Sequence, residues 1–194
     1  MKVLRRIAAF LFVATLLVSC DAAQSLSGAY NMVNCKYSYN SLSNVSVSGM
    51  NLSNGLSLSS IPKLTSILTG TATSIPVDMT VNLDVNNPNA SEAFLNGLQY
   101  IVTIDNLQLT SGSINERLSV SAGETKTMPI NLQLDIAQYL KGDSKDTMVN
   151  IIKNIAGIGT EKSNVSIQIK PSFMIGSQQV VSPIYIPVNF TVGK

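Results

Sequence analysis

The sequence contains no histidine and no tryptophan, and it has two cysteines in 194 residues. Charged residues make up 12% of it, against about a quarter in an average soluble chain. The missing histidine removes Ser-His-Asp and Cys-His catalysis and the commonest metal ligand. Acyl transfer would then need a Ser-Lys pair. Ser144-Lys145 and Lys162-Ser163 are adjacent in sequence, but both lie in polar loops. No glycine-rich phosphate loop stands before a helix, because Gly157-Ile158-Gly159 follows one. Asp78 and Asp84 share a strand face, yet six residues of strand separate them by roughly 20 Å, too far for a glycosidase pair. Asp143 and Asp146, among Lys141 and Lys145, read as a solvated helix start or a weak calcium site. Without tryptophan, sugar stacking would fall to tyrosines. Tyr37 and Tyr39, on one face of a strand, either form such a stacking pair or pack on the core. No catalytic residue, metal or cofactor is expected.

What is present begins with an export signal. Lys2, Arg5 and Arg6 precede an apolar run from Ile7 to Val18, too short to span a membrane. Leu17-Val18-Ser19-Cys20 then resembles the lipobox of bacterial lipoproteins. The alternative is an ordinary secretory peptide with an incidental cysteine. The lipoprotein resemblance implies cleavage before Cys20 and acylation of its thiol and new amino terminus. Loss of Lys2, Arg5 and Arg6 leaves 10 basic against 11 acidic residues, formally −1. No basic patch then marks a nucleic-acid partner. Cys35 is left as the one thiol, so no intramolecular disulfide forms. It reads as a buried inert thiol, with a reactive one as the alternative.

Along the chain, periodicity carries the organisation. Residues 20–29 read as the lipidated cysteine and a small polar tether, and 30–194 as a single domain. Tyr30 to Tyr39 reads as a strand with imperfect alternation. Val45 and Val47 continue the alternation, with Gly49 as a bulge, and 51–59 is loop-like. A short helix is predicted over 61–69, with Ser60 as cap. Val77-Asp78-Met79-Thr80-Val81-Asn82-Leu83-Asp84-Val85 alternates without a fault and meets the turn chemistry of Asn86-Asn87-Pro88-Asn89. Leu98 to Ile104, Leu107 to Leu109, Leu118 to Val120 and Met128 to Ile136 read as further strands, with Pro129 at an edge or near a strand start. Met148, Ile151, Ile152 and Ile155 share one face of a helix from Asp143 to Ala156, which Gly157 and Gly159 end. Val165 to Ile169 and Ile184 to Val192 complete about seven strands, the signature of a β-sandwich.

The stretch from 75 to 136 resembles the type 2 late-embryogenesis-abundant family, also called the LEA14-like or WHy domain. The resemblance rests on the order of its parts: the Val77–Val85 strand, the Asn87-Pro88-Asn89 turn, Gly97-Leu98-Gln99-Tyr100, Gly112, and Ala122-Gly123-Glu124-Thr125. It implies a mainly β, fibronectin-III-like antiparallel sandwich with one or two short helices, no catalytic residues, and a link to water stress. Asn87, Pro88, Asn89, Gly97, Tyr100 and Gly112 are expected to be architectural.

The resulting expectation is a non-enzymatic, lipid-anchored envelope protein facing the periplasm. Its partners would be the membrane, through Cys20, and an unidentified protein. A stress-protective binder, an accessory subunit of an envelope assembly and an apolar-ligand or lipid carrier compete as functions. The carrier needs an open groove between the sheets. A closed core of Val81, Leu83, Val102, Ile104, Leu132 and Leu134 would exclude it.

Overall fold

The structure, a computed structural model, describes residues 24–52, 61–69 and 72–193. Residues 1–19, expected to be an export signal, lie outside the described residues, as do Cys20, Ser60 and most of the 51–59 loop. A helix, α1, occupies 24–33 and is followed by strands β1 (Lys36–Val47) and β2 (Met50–Asn51). Next come α2 (Ile61–Leu68), β3 (Pro76–Asn86), β4 (Ala93–Leu95), β5 (Gly97–Ile104), β6 (Leu107–Ile114), β7 (Leu118–Val120) and β8 (Thr125–Asp135). Two short 3-10 turns lead into α3 (Lys145–Ile155), and β9 (Ser163–Ile175), β10 (Gln178–Val181) and β11 (Ile186–Val192) finish the chain.

The first sheet has the order β2-β1-β3-β8. The second runs β10-β9-β5-β6, with β11 also beside β9, and β4 pairs with β7 in a small ribbon. All pairings are antiparallel. The faultless alternation of β3 does what its period dictates. Val77, Met79, Val81, Leu83 and Val85 are buried, and β3 lies between β1 and β8. Its inner face meets that of the second sheet, where Val102, Ile104, Val165, Ile167 and Ile169 are buried. The fold is therefore a mainly β antiparallel sandwich. α3 lays Met148, Ile151 and Ile152 on the end where β3 begins.

Local chemistry sets the ends of the elements. Ser48 and Gly49 (φ 48° and 75°) form the two-residue turn between β1 and β2. Gly49 is thus a hairpin turn residue rather than a bulge. The register shifts of β1 fall between Tyr39 and Ser41 and between Ser43 and Ser46, around Asn44 at φ 53°. Gly157 (φ 74°) ends α3: its N–H donates to Asn154 O and that of Ile158 to Lys153 O, the paired bonds of a Schellman cap. Pro129 sits on edge strand β8, as its missing donor requires. Pro171 lies within β9, opposite Leu98, but on its other side it faces the gap between β10 and β11. Its carbonyl there accepts from Ser182 N–H at 2.8 Å.

Two sequence readings are corrected. Residues 24–33 are neither tether nor strand but a helix, and the strand starts at Lys36. Ser25, Gly28, Ala29 and Met32, spaced for one helix face, turn inward. A Cβ at Gly28 would run into the Phe94 ring, so only the bare glycine lets α1 approach β4 this closely. β6, for its part, runs on through Ser111-Gly112-Ser113 to Ile114, beyond the Leu109 at which the sequence reading ends the strand.

Candidate functional site

The Asn87-Pro88-Asn89 turn lies where β3 ends, and it is a junction rather than a simple reversal. Asn87 is fully buried. Its side-chain amide donates to the carbonyls of Ser91 (2.9 Å), Val120 (2.9 Å) and Ser121 (3.2 Å). Its side-chain oxygen accepts from the backbone and side-chain N–H groups of Asn89 at 3.0 and 2.7 Å. Its backbone N–H donates to Glu124 O, and its carbonyl accepts from Gly123 N–H. Asn89 passes the connection on by donating to Asn31 O at 3.0 Å, and Asn31 donates to Ser91 Oγ and Glu92 O. One buried amide thus joins β3, the β7–β8 turn and the 88–92 loop, and Asn89 extends the link to α1. Burying an amide without partners would cost several kcal/mol, and here each of its groups is met.

The other residues of the family pattern have equally specific places. Tyr100 and Gly112 are directly opposed across β5 and β6. A Cβ on Gly112 would stand 2.6 Å from the Tyr100 hydroxyl, so the ring lies flat over the glycine. A Cβ on Gly97 would stand 2.6 Å from Ile114 O and 3.1 Å from Ser172 Oγ. These contacts concern packing between strands.

Polar side chains knit the outer face of the first sheet. Asn40 Nδ2 and Thr127 Oγ1 donate to Asp84, Asn82 donates to Ser41 and Ser43, and Asn44 donates to Thr80. Thr80 in turn donates to Asn131, and Ser46 to Asp78. The bonds from Asn40 and Thr127 lower the Asp84 carboxyl below its ordinary range. Asp135, at the far end, is lowered by Ser74 first and then by the N–H groups of Ile75 and Ala137. These carboxylates hold strands together.

The remaining candidates are likewise engaged. Tyr39 stacks on Phe190 with ring centroids 4.0 Å apart, and Tyr37 donates its hydroxyl to Met32 O. Burial pushes the Tyr37 phenol up, with the nearby Cys35 adding to it. The pair packs inward instead of forming a stacking platform. Cys35 is buried, and that burial pushes its thiol up to about 11. Ser144 donates to Tyr139 O and Lys141 O, and the buried Ser163 accepts from Asn154 Nδ2 at 2.9 Å.

Exposed apolar surface concentrates at the end where β3 finishes. α1 turns Leu26 and Tyr30 outward. The β9–β10 hairpin exposes Met174, Val180 and Val181, and the segment after it exposes Ile184 and Tyr185. This rim belongs to the same end as α1, because Asn96, next to β4, bonds Ser172 and Met174. Residues 171–193 contain no charged residue at all. Lys170 reaches over the Tyr185 ring at 4.9 Å, and Arg117 over Phe94 at 5.3 Å. The uncharged run is visible in the sequence. Its exposure is not, since Val-Val and Ile-Tyr read equally well as core.

Between the sheets the volume is taken. Val81, Val102, Ile104 and Leu132 are buried and, with Phe190 and Val192, line a space of about 10 Å³, while Leu83 is buried and Leu134 half-buried. Between the first sheet and α3 a further apolar cavity measures about 30 Å³. Pockets for small ligands run to about 300–1,000 Å³.

The family model described as LEA_2, late embryogenesis abundant protein, matches residues 82–178. That match extends beyond the 75–136 stretch into α3, β9 and the start of β10. A protein from Archaeoglobus fulgidus is similar in structure, at 17% identity over 78% of this chain and 97% of its own, with a TM-score of 0.35. AT1g01470 from Arabidopsis thaliana shares 13% identity over 61% and 70%, with a TM-score of 0.38. The solution structure of At2g46140.1 shares 14% identity over 99% and 88%, with a TM-score of 0.41. No curated protein matches the chain in sequence.

Proposed function

The chain belongs to the late embryogenesis abundant protein family described by LEA_2, and on that premise we propose that it is a non-enzymatic, lipid-anchored protein of a bacterial envelope that binds other macromolecules. The observation that carries the binding reading is the rim of Met174, Val180, Val181, Ile184 and Tyr185, exposed within an uncharged run. Soluble domains cover such clusters unless they are used. Acylation at Cys20 supplies the anchor, and more than one acyl chain makes it stable. The filled core weighs against the lipid-carrier reading. The same rim serves an accessory subunit of an envelope assembly equally well.

Freezing or drying a labile enzyme with the protein tests the protective form of this reading. The wild type should raise recovered activity above an unrelated protein at equal mass. Val181→Asp with Ile184→Asp should remove that gain at an unchanged melting temperature. A wild type with no effect refutes the protective reading. For the anchor, Cys20→Ala should move the protein from the membrane to the soluble fraction, and a variant that stays with membranes refutes lipidation.

A further inference from the structure

We propose that the outer face of α1, formed by Leu26 and Tyr30, rests on the bilayer that holds Cys20, fixing the domain with its α3 end pointing away from the membrane. This rests on the lipidation reading above and adds an orientation to it. Leu26 is 60% exposed and Tyr30 70%, and they stand one helical turn apart on the same side of α1. The opposite side is fully committed to the body of the domain, through Ala29 and Met32. Nothing among the described residues covers the outer side.

Chain length selects the occupant. Only Asp21, Ala22 and Ala23 separate Cys20 from Gln24, the first described residue of α1. Even fully extended, four residues span at most roughly 14 Å. The headgroup layer of one leaflet is itself about 5–8 Å thick. An acylated Cys20 therefore holds the start of α1 at the membrane surface. Composition agrees, because residues 22–35 carry no charge to desolvate. Lys36, just beyond, is exposed and would meet anionic headgroups favourably. A tyrosine with an apolar body and a polar tip suits the interface, and leucine suits the layer beneath it. Glu92 and Arg117 lie beside β4 at the same end. Glu92 is engaged by the Ser119 hydroxyl and Arg117 by the Phe94 ring.

The helix cannot lie down without bringing the domain with it. Asn31 is tied to Ser91 and Glu92, Asn89 to Asn31 O, Tyr37 to Met32 O, and Gly28 sits under Phe94. Docking α1 brings the end where β3 finishes to the surface, and β3, roughly 35 Å long at strand rise, separates that end from α3.

The absence of tryptophan permits a direct test. Tyr30→Trp, and Ile158→Trp as a control exposed near the C-terminus of α3, each place one fluorophore in the full-length lipidated protein. Each is reconstituted into phosphatidylethanolamine–phosphatidylglycerol vesicles with brominated acyl chains, and flotation is checked first. In floating protein, emission from position 30 should shift to the blue and fall by more than half, while that from position 158 stays unchanged. No quenching at position 30, or equal quenching at both, overturns the docking while the anchor stands. A blue shift at position 30 without bromine quenching means that protein covers the face, and also overturns it. If wild type fails to float, or Cys20→Ala floats equally well, the anchor reading fails first and the docking with it.

Discussion

Asn87→Ala removes the side chain on which β3, the β7–β8 turn and the 88–92 loop converge. The amide it deletes supplies two 2.9 Å donor bonds, a third at 3.2 Å, and an oxygen that accepts twice from Asn89. Each buried partner left unmet costs about 1–3 kcal/mol, so losing two strong donors and one acceptor costs at least about 3 kcal/mol. Domains are stable by only about 5–15 kcal/mol. At about 2–4 °C per kcal/mol for a chain of this size, the melting temperature should fall by roughly 10 °C. Urea unfolding followed by circular dichroism measures the loss directly. Asn87→Asp sharpens the test, because a carboxylate would face three carbonyl oxygens with no proton to give. Its folded pKa must lie above the unfolded value of about 3.9. A group raised in this way keeps its stability below the unfolded pKa and loses it as pH rises through the folded one. The Asp variant should therefore approach wild type in acid and fall furthest below it at neutral pH. A cost under about 1 kcal/mol for Asn87→Ala would refute the junction, since that is no more than one ordinary hydrogen bond. So would an Asp variant whose deficit does not grow with pH.

Gly112→Ala should destabilise by about 1–3 kcal/mol, as overpacking does. Tyr100→Ala in the same chain should recover part of that loss, a coupling that a double-mutant cycle measures. The thiol of Cys35, buried and raised to about 11, should resist a thiol reagent at pH 8 in the native state and react fully in urea. Asp135 is lowered by Ser74 and two N–H groups, so its contribution is present above the unfolded carboxyl pKa and lost as pH falls through the folded one. Asp135→Asn should flatten the acid limb of the stability profile, which thermal melts across that range detect.

The strands that alternate cleanly were legible from the residues alone. β3, β5, β8 and the inner face of α3 declare their period because one face meets a core and the other meets water. α1 was not legible, because its inward positions are Ser25, Gly28, Ala29 and Met32. With small residues facing the core there is no apolar stripe to read, and the packing against Phe94 decides the conformation. Gly112 looked like a strand breaker and is instead the floor beneath Tyr100, a cross-strand fact invisible along the chain. The Asn87-Pro88-Asn89 turn was evident as a turn. Its burial was not, since that depends on where Val120 and Ser121 arrive. The exposed rim was hidden for the converse reason: Val180, Val181 and Ile184 carry the composition of a core and stand outside one.

The strand pairings also set an order of folding. β1 must wait for β3, with Lys36 opposite Asn86, and the second sheet cannot close until Ser172 reaches Gly97. Pairings this distant in sequence form slowly, because the entropy of closing the loop is lost before the pairing can offset it. β9, which links β5, β10 and β11, is the last long strand to emerge when the chain is delivered from its amino terminus. A chain delivered in that direction can complete its first sheet once β8 has emerged, but its second sheet closes only when the C-terminal strands arrive.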